Sequence, residues 1–326
     1  MLGIPKIRII ATGGTISRGI NVNSGNEIRL NAQDIGNLIP NIDKIVKIEY
    51  EDFCQIGSSR MTPDIQLSLA KNIKKIFKND SKLSGIVITH GTNSLEETAF
   101  LLWLTMDDPR PIILTGAMIP PLSSDSDGPR NLKNSIQIAI SDKALNKGVM
   151  VCLNNEIHSA RYVKKTHTRS LDSFKSGIYG LIGYVDEENV KFFNNVVKDI
   201  SINTENIDTN IDIIKLSTGT RDHHVKASIE SEVSGIIVEA FGLGDIPPNI
   251  MNYLLTAREK GIFVIIVSRC NDGSVENRSI WEKHGIISGG NLDSLKARIL
   301  LSLIITQTKD IGKIQKYYNI LSGQYD

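Results

Sequence analysis

The sequence predicts an α/β protein of two domains: a larger N-terminal doubly wound sheet and a smaller C-terminal α/β domain. Three observations carry that expectation. Short apolar runs, each closed by Gly or Thr, alternate with segments of helical periodicity, as in a parallel sheet covered on both faces. The chain has 326 residues, more than one core comfortably serves. An Asn-, Asp- and Thr-rich stretch from Asn194 to Asp212 separates two such alternating sets and reads as a connection. The boundary is placed near residue 210, with domains of residues 1–210 and 211–326.

The first strand-like run, Lys6 to Ala11, ends in Thr12-Gly13-Gly14-Thr15. Thr62-Pro63-Asp64 then opens a helix, with Pro in the first turn and Ile65, Leu69, Ile73 and Ile76 on one face. The second run, Gly85 to Thr89, ends in His90-Gly91-Thr92. Ser94-Leu95-Glu96-Glu97 has the form of a capping box before Ala99-Phe100-Leu101-Leu102. Further strands are expected at Ile112–Thr115, Val149–Leu153, Gly235–Val238 and Ile262–Val267, and helices at Asn131–Leu145, Pro248–Glu259 and Leu292–Thr306. Neither repeat nor low-complexity tract interrupts the pattern.

Composition bounds the function. A formal net charge of +1 provides no electrostatic footprint for nucleic acid or an anionic membrane. No apolar run approaches the length of a membrane span. Three scattered cysteines, Cys54, Cys152 and Cys270, make neither a disulfide framework nor a CxxC metal site. Cys152 and Cys270 lie in or beside apolar runs and are expected to be buried thiols. With the first strand close to Met1, no room is expected for a signal peptide, and a reducing cytoplasm is the expected compartment.

The chemistry gathers at two strand ends. Ligands of open α/β sheets bind beyond the carboxyl ends of the strands. The two apolar runs deliver two threonine hydroxyls to that edge, and a Thr hydroxyl attacks a carbonyl once a base activates it. The Gly13-Gly14 turn lacks the G-x-G-x-x-G spacing of a dinucleotide fingerprint. His158, His167, His223 and His224 have no spacing suited to zinc. Asp125-Ser126-Asp127-Gly128 resembles the start of a calcium loop but lacks its downstream Glu. No cofactor and no metal are therefore expected. His90 reads as a structural histidine, Glu96 and Glu97 as capping and surface groups, and Lys164-Lys165 as part of a solvated basic loop.

Two longer signatures then point to a family. Ala11-Thr12-Gly13-Gly14-Thr15-Ile16 and His90-Gly91-Thr92-Asn93-Ser94-Leu95-Glu96-Glu97-Thr98-Ala99 resemble, in order, the two signatures of bacterial-type L-asparaginases. The likeness continues through Thr115-Gly116-Ala117-Met118, Asp127-Gly128-Pro129, Lys165-Thr166, Ser288-Gly289-Gly290 and Lys296-Ala297-Arg298. It implies an asparaginase-like pair of α/β domains, hydrolysis of a side-chain amide through a threonyl acyl-enzyme, and a homodimer or homotetramer. On this resemblance Thr15 is the primary nucleophile, Thr92 the second catalytic threonine and Lys165 its basic partner. Ser58 would help hold the substrate α-carboxylate, with Ser59 and Asn93 also lining the substrate.

The sequence departs from the family pattern where a substrate α-ammonium would be met. Asn93 stands for an Asp and Ser59 for a Gln. The loop from Ser17 to Leu30 has no Tyr to activate Thr15. The region expected to offer a Glu to a neighbouring subunit reads Glu276-Asn277-Arg278-Ser279, and Asp245 stands for a turn Asn. A buried cation needs an anionic partner, so these changes favour an asparagine derivative without a free α-ammonium. Loss of a carboxylate at position 93 should also lower the Lys165 pKa and improve it as a base toward Thr92. Two other classes remain: a non-hydrolytic pseudoenzyme or biosynthetic homologue, and an ammonia-donating amidotransferase component, which the start of the chain at its first strand disfavours.

Overall fold

The computed structural model describes residues 4–20, 27–195, 198 and 200–322. The chain divides into two compact units, Met1–Lys198 and Asp199–Asp326.

The first unit runs β1 (Lys6–Gly13), β2 (Arg18–Ile20), β3 (Glu27–Arg29), α1 (Ala32–Gly36), β4 (Lys47–Ile56), α2 (Pro63–Asn79), β5 (Leu83–Thr89), α3 (Leu95–Thr105), β6 (Ile112–Thr115), α4 (Gly128–Ala139), β7 (Val149–Leu153) and β8 (Glu156–Ser159). It ends with β9 (Lys164–Lys165), β10 (Phe174–Lys175), β11 (Gly183–Asp186) and β12 (Asn189–Phe192). Among the described residues its main sheet has the order β12-β11-β8-β7-β6-β5-β1-β4. Strands β4, β1, β5, β6 and β7 are parallel, and β8, β11 and β12 extend the sheet in antiparallel fashion. The sheet is therefore mixed rather than wholly parallel.

Side chains alternate between the faces of a strand. Ile7, Ile9, Val87, Ile113 and Met150 share a core cluster with Ile35 of α1 and Leu132, Ile136 and Ala139 of α4. Ile10, Ile86, Ile88, Leu114 and Val151 alternate with them and are equally buried, on the side where α3 packs against β6, β7 and α2. Burial on both faces explains why these strands read as continuous apolar runs. Each fully buried Ile contributes roughly 1.5–3 kcal/mol.

The second unit comprises β13 (Ile211–Lys215), α5 (His223–Glu230), β14 (Gly235–Ala240), α6 (Pro248–Glu259), β15 (Phe263–Ser268), α7 (Ser279–His284), β16 (Ile286–Ser288), α8 (Ser294–Ile304) and α9 (Ile311–Ser322). Its strands form a parallel sheet in chain order. Ile236, Val238, Val264 and Ile266 pack with Val225 and Ile229 of α5 and Ile250 and Leu254 of α6. The described residues between Ile200 and Asn210 have no regular structure, yet they are tied to this unit. Asp208 N donates to Ser302 O at 2.9 Å, and Thr204 Oγ1 and Thr306 Oγ1 lie 3.1 Å apart.

Several local expectations change. The helix expected over 131–145 starts at Gly128, with Pro129 in its first turn, and ends at Ala139, where extended Ser141 turns the chain into a short 3-10 turn. Cys152 is buried on β7 as expected. Cys270, by contrast, is exposed, because the chain has already left β15 at Ser268, whose hydroxyl accepts the Cys270 N–H at 3.1 Å. The edge strand β4 has no continuous apolar run and escaped the sequence reading.

The chain passes from β1 to β4 on one side of it, then crosses back to β5 on the other. This reversal is the switch point at which open α/β sheets form a crevice. The register Ala11↔Thr89 brings β1 and β5 to the same edge together. Just beyond, the two loops meet backbone to backbone. A Cβ on Gly14 would lie 2.2 Å from Gly91 Cα, and Gly14 has φ +90°. Gly14→Ala is expected to abolish folding or to lower Tm far more than Gly219→Ala. Gly219 has φ +75° but open space around it, so its substitution costs only the roughly 1–2 kcal/mol of the left-handed conformation. Thermal denaturation of the two variants checks this.

Candidate active site

The loop after β1 is a tight construction. Thr12 Oγ1 donates to Thr89 O at 3.0 Å, tying the end of β1 to β5. Thr15 opens a 3-10 turn, Thr15–Ser17, in which Ser17 Oγ donates to Gly14 O at 2.9 Å. Thr15 is half-buried. Of the loop from Ser17 to Leu30, residues 21–26 lie outside the described residues.

The loop after β5 is held from beneath by a neutral histidine. His90 is wholly buried, with Nδ1 2.7 Å from Gly91 O and Nε2 3.0 Å from Thr98 Oγ1. A carbonyl can only accept, so Nδ1 carries the proton and Nε2 accepts from Thr98. Thr98 Oγ1 in turn accepts from Gln66 Nε2 at 3.0 Å. Burial pushes the His90 imidazole down to about 4, which keeps it neutral and agrees with its structural reading. A third loop backs this one. His90 N donates to Thr115 O at 2.8 Å, and Asp127 accepts the N–H groups of Met118 and Ile119 at 2.9–3.1 Å and Asn131 Nδ2 at 2.9 Å. The carboxylate that resembled a calcium ligand thus braces the 116–119 loop.

Ser58 follows β4 and is buried, whereas Ser59 beside it is exposed. Ser58 Oγ accepts the Asn93 N–H at 3.1 Å, and Ser94 Oγ donates to Ser58 O at 2.7 Å. The expected capping box at Ser94 is therefore not formed. Ser94 occupies the N-cap of α3, but its hydroxyl makes no capping bond and instead fastens the Ser58 loop. Arg18 also approaches, its Nη2 lying 3.1 Å from where a Cβ on Gly57 would sit.

Lys165 completes the group. It stands on β9, half-buried rather than on a solvated loop. Its Nζ donates to Thr92 Oγ1 at 2.8 Å and to Asn93 Oδ1 at 3.3 Å. Its backbone N–H is accepted by Glu96 Oε2 at 2.8 Å. Burial moves the Lys165 ammonium below its ordinary pKa, and the Glu96 charge pulls the other way. Glu96 is thus more than a surface group. The sequence signal for it was its place in the first turn of α3, three residues after Asn93. Tyr162 and Tyr179 stack on each other with centroids 4.0 Å apart, and the Arg161 guanidinium lies 4.8 Å over the Tyr162 ring. In the second unit, Asp245 Oδ1 pairs with Arg278 Nη2 at 2.9 Å.

Two family models match this chain: the asparaginase N-terminal domain over residues 6–198, and the glutaminase/asparaginase C-terminal domain over residues 210–318. The chain belongs to the asparaginase family. It is 33% identical to L-asparaginase 2 of Bacillus subtilis, with 97% of this chain and 86% of that one covered. It is 34% identical to the probable periplasmic L-asparaginase of Haemophilus influenzae, with 97% and 93% covered. The crystal structure of the probable cytoplasmic L-asparaginase of Campylobacter jejuni is similar with a TM-score of 0.89 at 36% identity, covering 96% of this chain and 99% of that one. Among the described residues, no helix is long and apolar enough to cross a membrane.

The buried His90 makes stability depend on pH. Its folded pKa lies below the ordinary 6.5, so its contribution is complete above about 6.5 and is lost as pH falls toward about 4. The interval corresponds to roughly 3 kcal/mol. Tm is expected to fall between pH 7 and pH 4.5, and His90→Gln is expected to flatten that part of the decline in a pH series of thermal melts.

Proposed function

We propose that this amide hydrolase of the asparaginase family uses Thr92 as nucleophile and Lys165 as its base. We further propose that its preferred substrate is an N-acylated or peptide-linked asparagine, or a deaminated analogue. The observation that carries this is the 2.8 Å contact between Lys165 Nζ and Thr92 Oγ1, with an amide rather than a carboxylate at position 93. A neutral Lys165 accepts the Thr92 proton as Oγ attacks the side-chain carboxamide carbon. The resulting ammonium returns the proton to the departing nitrogen as the C–N bond breaks, releasing ammonia. Water, deprotonated by the same amine, then cleaves the acyl-threonine to the carboxylate. The lowered pKa of Lys165 favours the neutral form that the first step requires.

The substrate end follows from charge. Ser58, whose hydroxyl still has its own proton to donate, is assigned to the substrate α-carboxylate, and exposed Ser59 borders it. Asn93 offers a free α-ammonium only a dipole, where a carboxylate would offer a charge-assisted bond. Thr15 lies in the adjoining loop and is assigned a substrate-facing role secondary to Thr92. The assembly is proposed to be a homodimer or homotetramer, in the cytoplasm.

Ammonia release from asparagine and N-acetylasparagine tests the substrate. The acylated form is expected to have the higher kcat/KM by roughly tenfold or more, and preference for free asparagine overturns the assignment. For the centre itself, Lys165→Met is expected to lower kcat roughly 10²–10⁴-fold. Thr92→Val should lose at least as much and give no acyl adduct by mass spectrometry. Retained turnover in Thr92→Val moves the nucleophile to Thr15.

A further inference from the structure

Lys165 is carried by a very small element. Strand β9 has two residues and, among the described residues, pairs with the two of β10 in a separate two-stranded sheet. An isolated ribbon of this length has no rigidity of its own, so the amine is only as well placed as the anchors of the ribbon. Thr166 N donates to Ser173 O at 2.7 Å, His158 Nδ1 lies 2.8 Å from Ser176 Oγ, and Lys175 Nζ lies 3.6 Å from Glu156 Oε2. These hold the flanks and the β10 strand. Glu96 acts on Lys165 itself, accepting its backbone N–H at 2.8 Å.

We propose that Glu96 is a positioning residue: it fixes the Lys165 amine against Thr92 by gripping its backbone, and it supplies the negative charge that Asn93 does not. The proposal rests on Lys165 being the base for Thr92. Glu96 is suited to both tasks. It lies in the first turn of α3, where the helix dipole stabilises a carboxylate. It also joins Lys165 to the helix that begins directly after the Thr92 loop, so nucleophile and base share one rigid support. Other charged groups surround the ribbon. Lys164 is adjacent on β9, and Lys175 opposes Lys164 and is paired with Glu156 and Asp172. Glu97 follows Glu96, and Arg161 is buried near the base of the ribbon with its guanidinium on Tyr162. Glu96 is the one whose charge acts on Lys165 toward retaining its proton.

The test compares Glu96→Gln, Glu96→Ala and Lys165→Met in the full chain, reading kcat, KM and the pH profile of kcat/KM by ammonia release. Glu96→Gln keeps a carbonyl acceptor for the Lys165 N–H but removes the charge. Its acid limb is expected to move to lower pH with KM unchanged. Glu96→Ala loses both functions, and its kcat is expected to fall roughly tenfold to a hundredfold with KM within about twofold. If both profiles stay in place and Glu96→Ala keeps its kcat while Lys165→Met is inactive, Glu96 is not a positioning residue. If Lys165→Met keeps its kcat, the reading of Lys165 as base falls first, and the role of Glu96 falls with it.

Discussion

Where β1 and β5 end, Gly14 and Gly91 lie against each other with no room for a side-chain carbon between them. Two parallel strands are about 4.8 Å apart, and ordinary loops leaving them diverge as soon as their side chains need space. Here the missing carbons let the two backbones touch just past the sheet. The loops that carry Thr15 and Thr92 therefore leave the sheet side by side. The same closeness extends outward, since a Cβ on Gly91 would also strike Ser58 Oγ at 2.6 Å and one on Gly116 would strike His90 O at 2.6 Å. The loops after β1, β5 and β6 approach main chain to main chain, and the Ser58 side chain packs against the second of them.

That packing explains the polar interior of the site. A backbone carbonyl or amide excluded from water costs free energy unless it is paired. The pairing is supplied by Thr12, His90, Ser94, Asp127 and Asn131, each bonded to nearby main-chain groups of these loops. With the exception of Asp127 these groups are uncharged, and His90 is held neutral by burial. Beside Thr92 stands Lys165, whose amine donates to its hydroxyl and whose backbone is held by Glu96. A half-buried ammonium whose pKa is lowered by burial is a setting in which a lysine serves as a base.

Much of the fold was legible in the sequence because it rests on strong local signals. Runs such as Ile86-Val87-Ile88 on β5 and Phe263 to Val267 on β15 are buried on both faces, and the Thr62-Pro63 start of α2 forms as expected, with Thr62 Oγ1 accepting the Ile65 N–H. What escaped depends on partners distant in the chain. The edge strand β4 is half-buried along most of its length and has no apolar run to announce it. Ser94 has the form of a cap, but a carbonyl 36 residues away outcompetes the helix for its hydroxyl. Within the site, Thr92 and Lys165 could be paired only through the family resemblance. The composition of the Lys164–Arg169 stretch is that of a solvated loop, and nothing in it reports that two of its residues form a ribbon against α3.

The pairing of Asn93 with Glu96 bears on which threonine is better equipped. Were position 93 a carboxylate in contact with Nζ, the ammonium would form a charge-assisted bond there, and Thr92 would have to compete for its attention. The neutral amide at 3.3 Å is the weaker partner, and the hydroxyl at 2.8 Å is the nearer one. The acidic group bonded to Lys165 is thus at the backbone behind the amine and not at the amine itself. From there Glu96 still restrains the ribbon and still acts on the charge of Lys165, but it does so while accepting a main-chain N–H. Restraint and basicity are otherwise in conflict, because the carboxylate that would hold an amine most firmly is also the one that keeps it protonated. Separating the two leaves the Lys165 amine beside the Thr92 hydroxyl while burial moves its ammonium below the ordinary pKa.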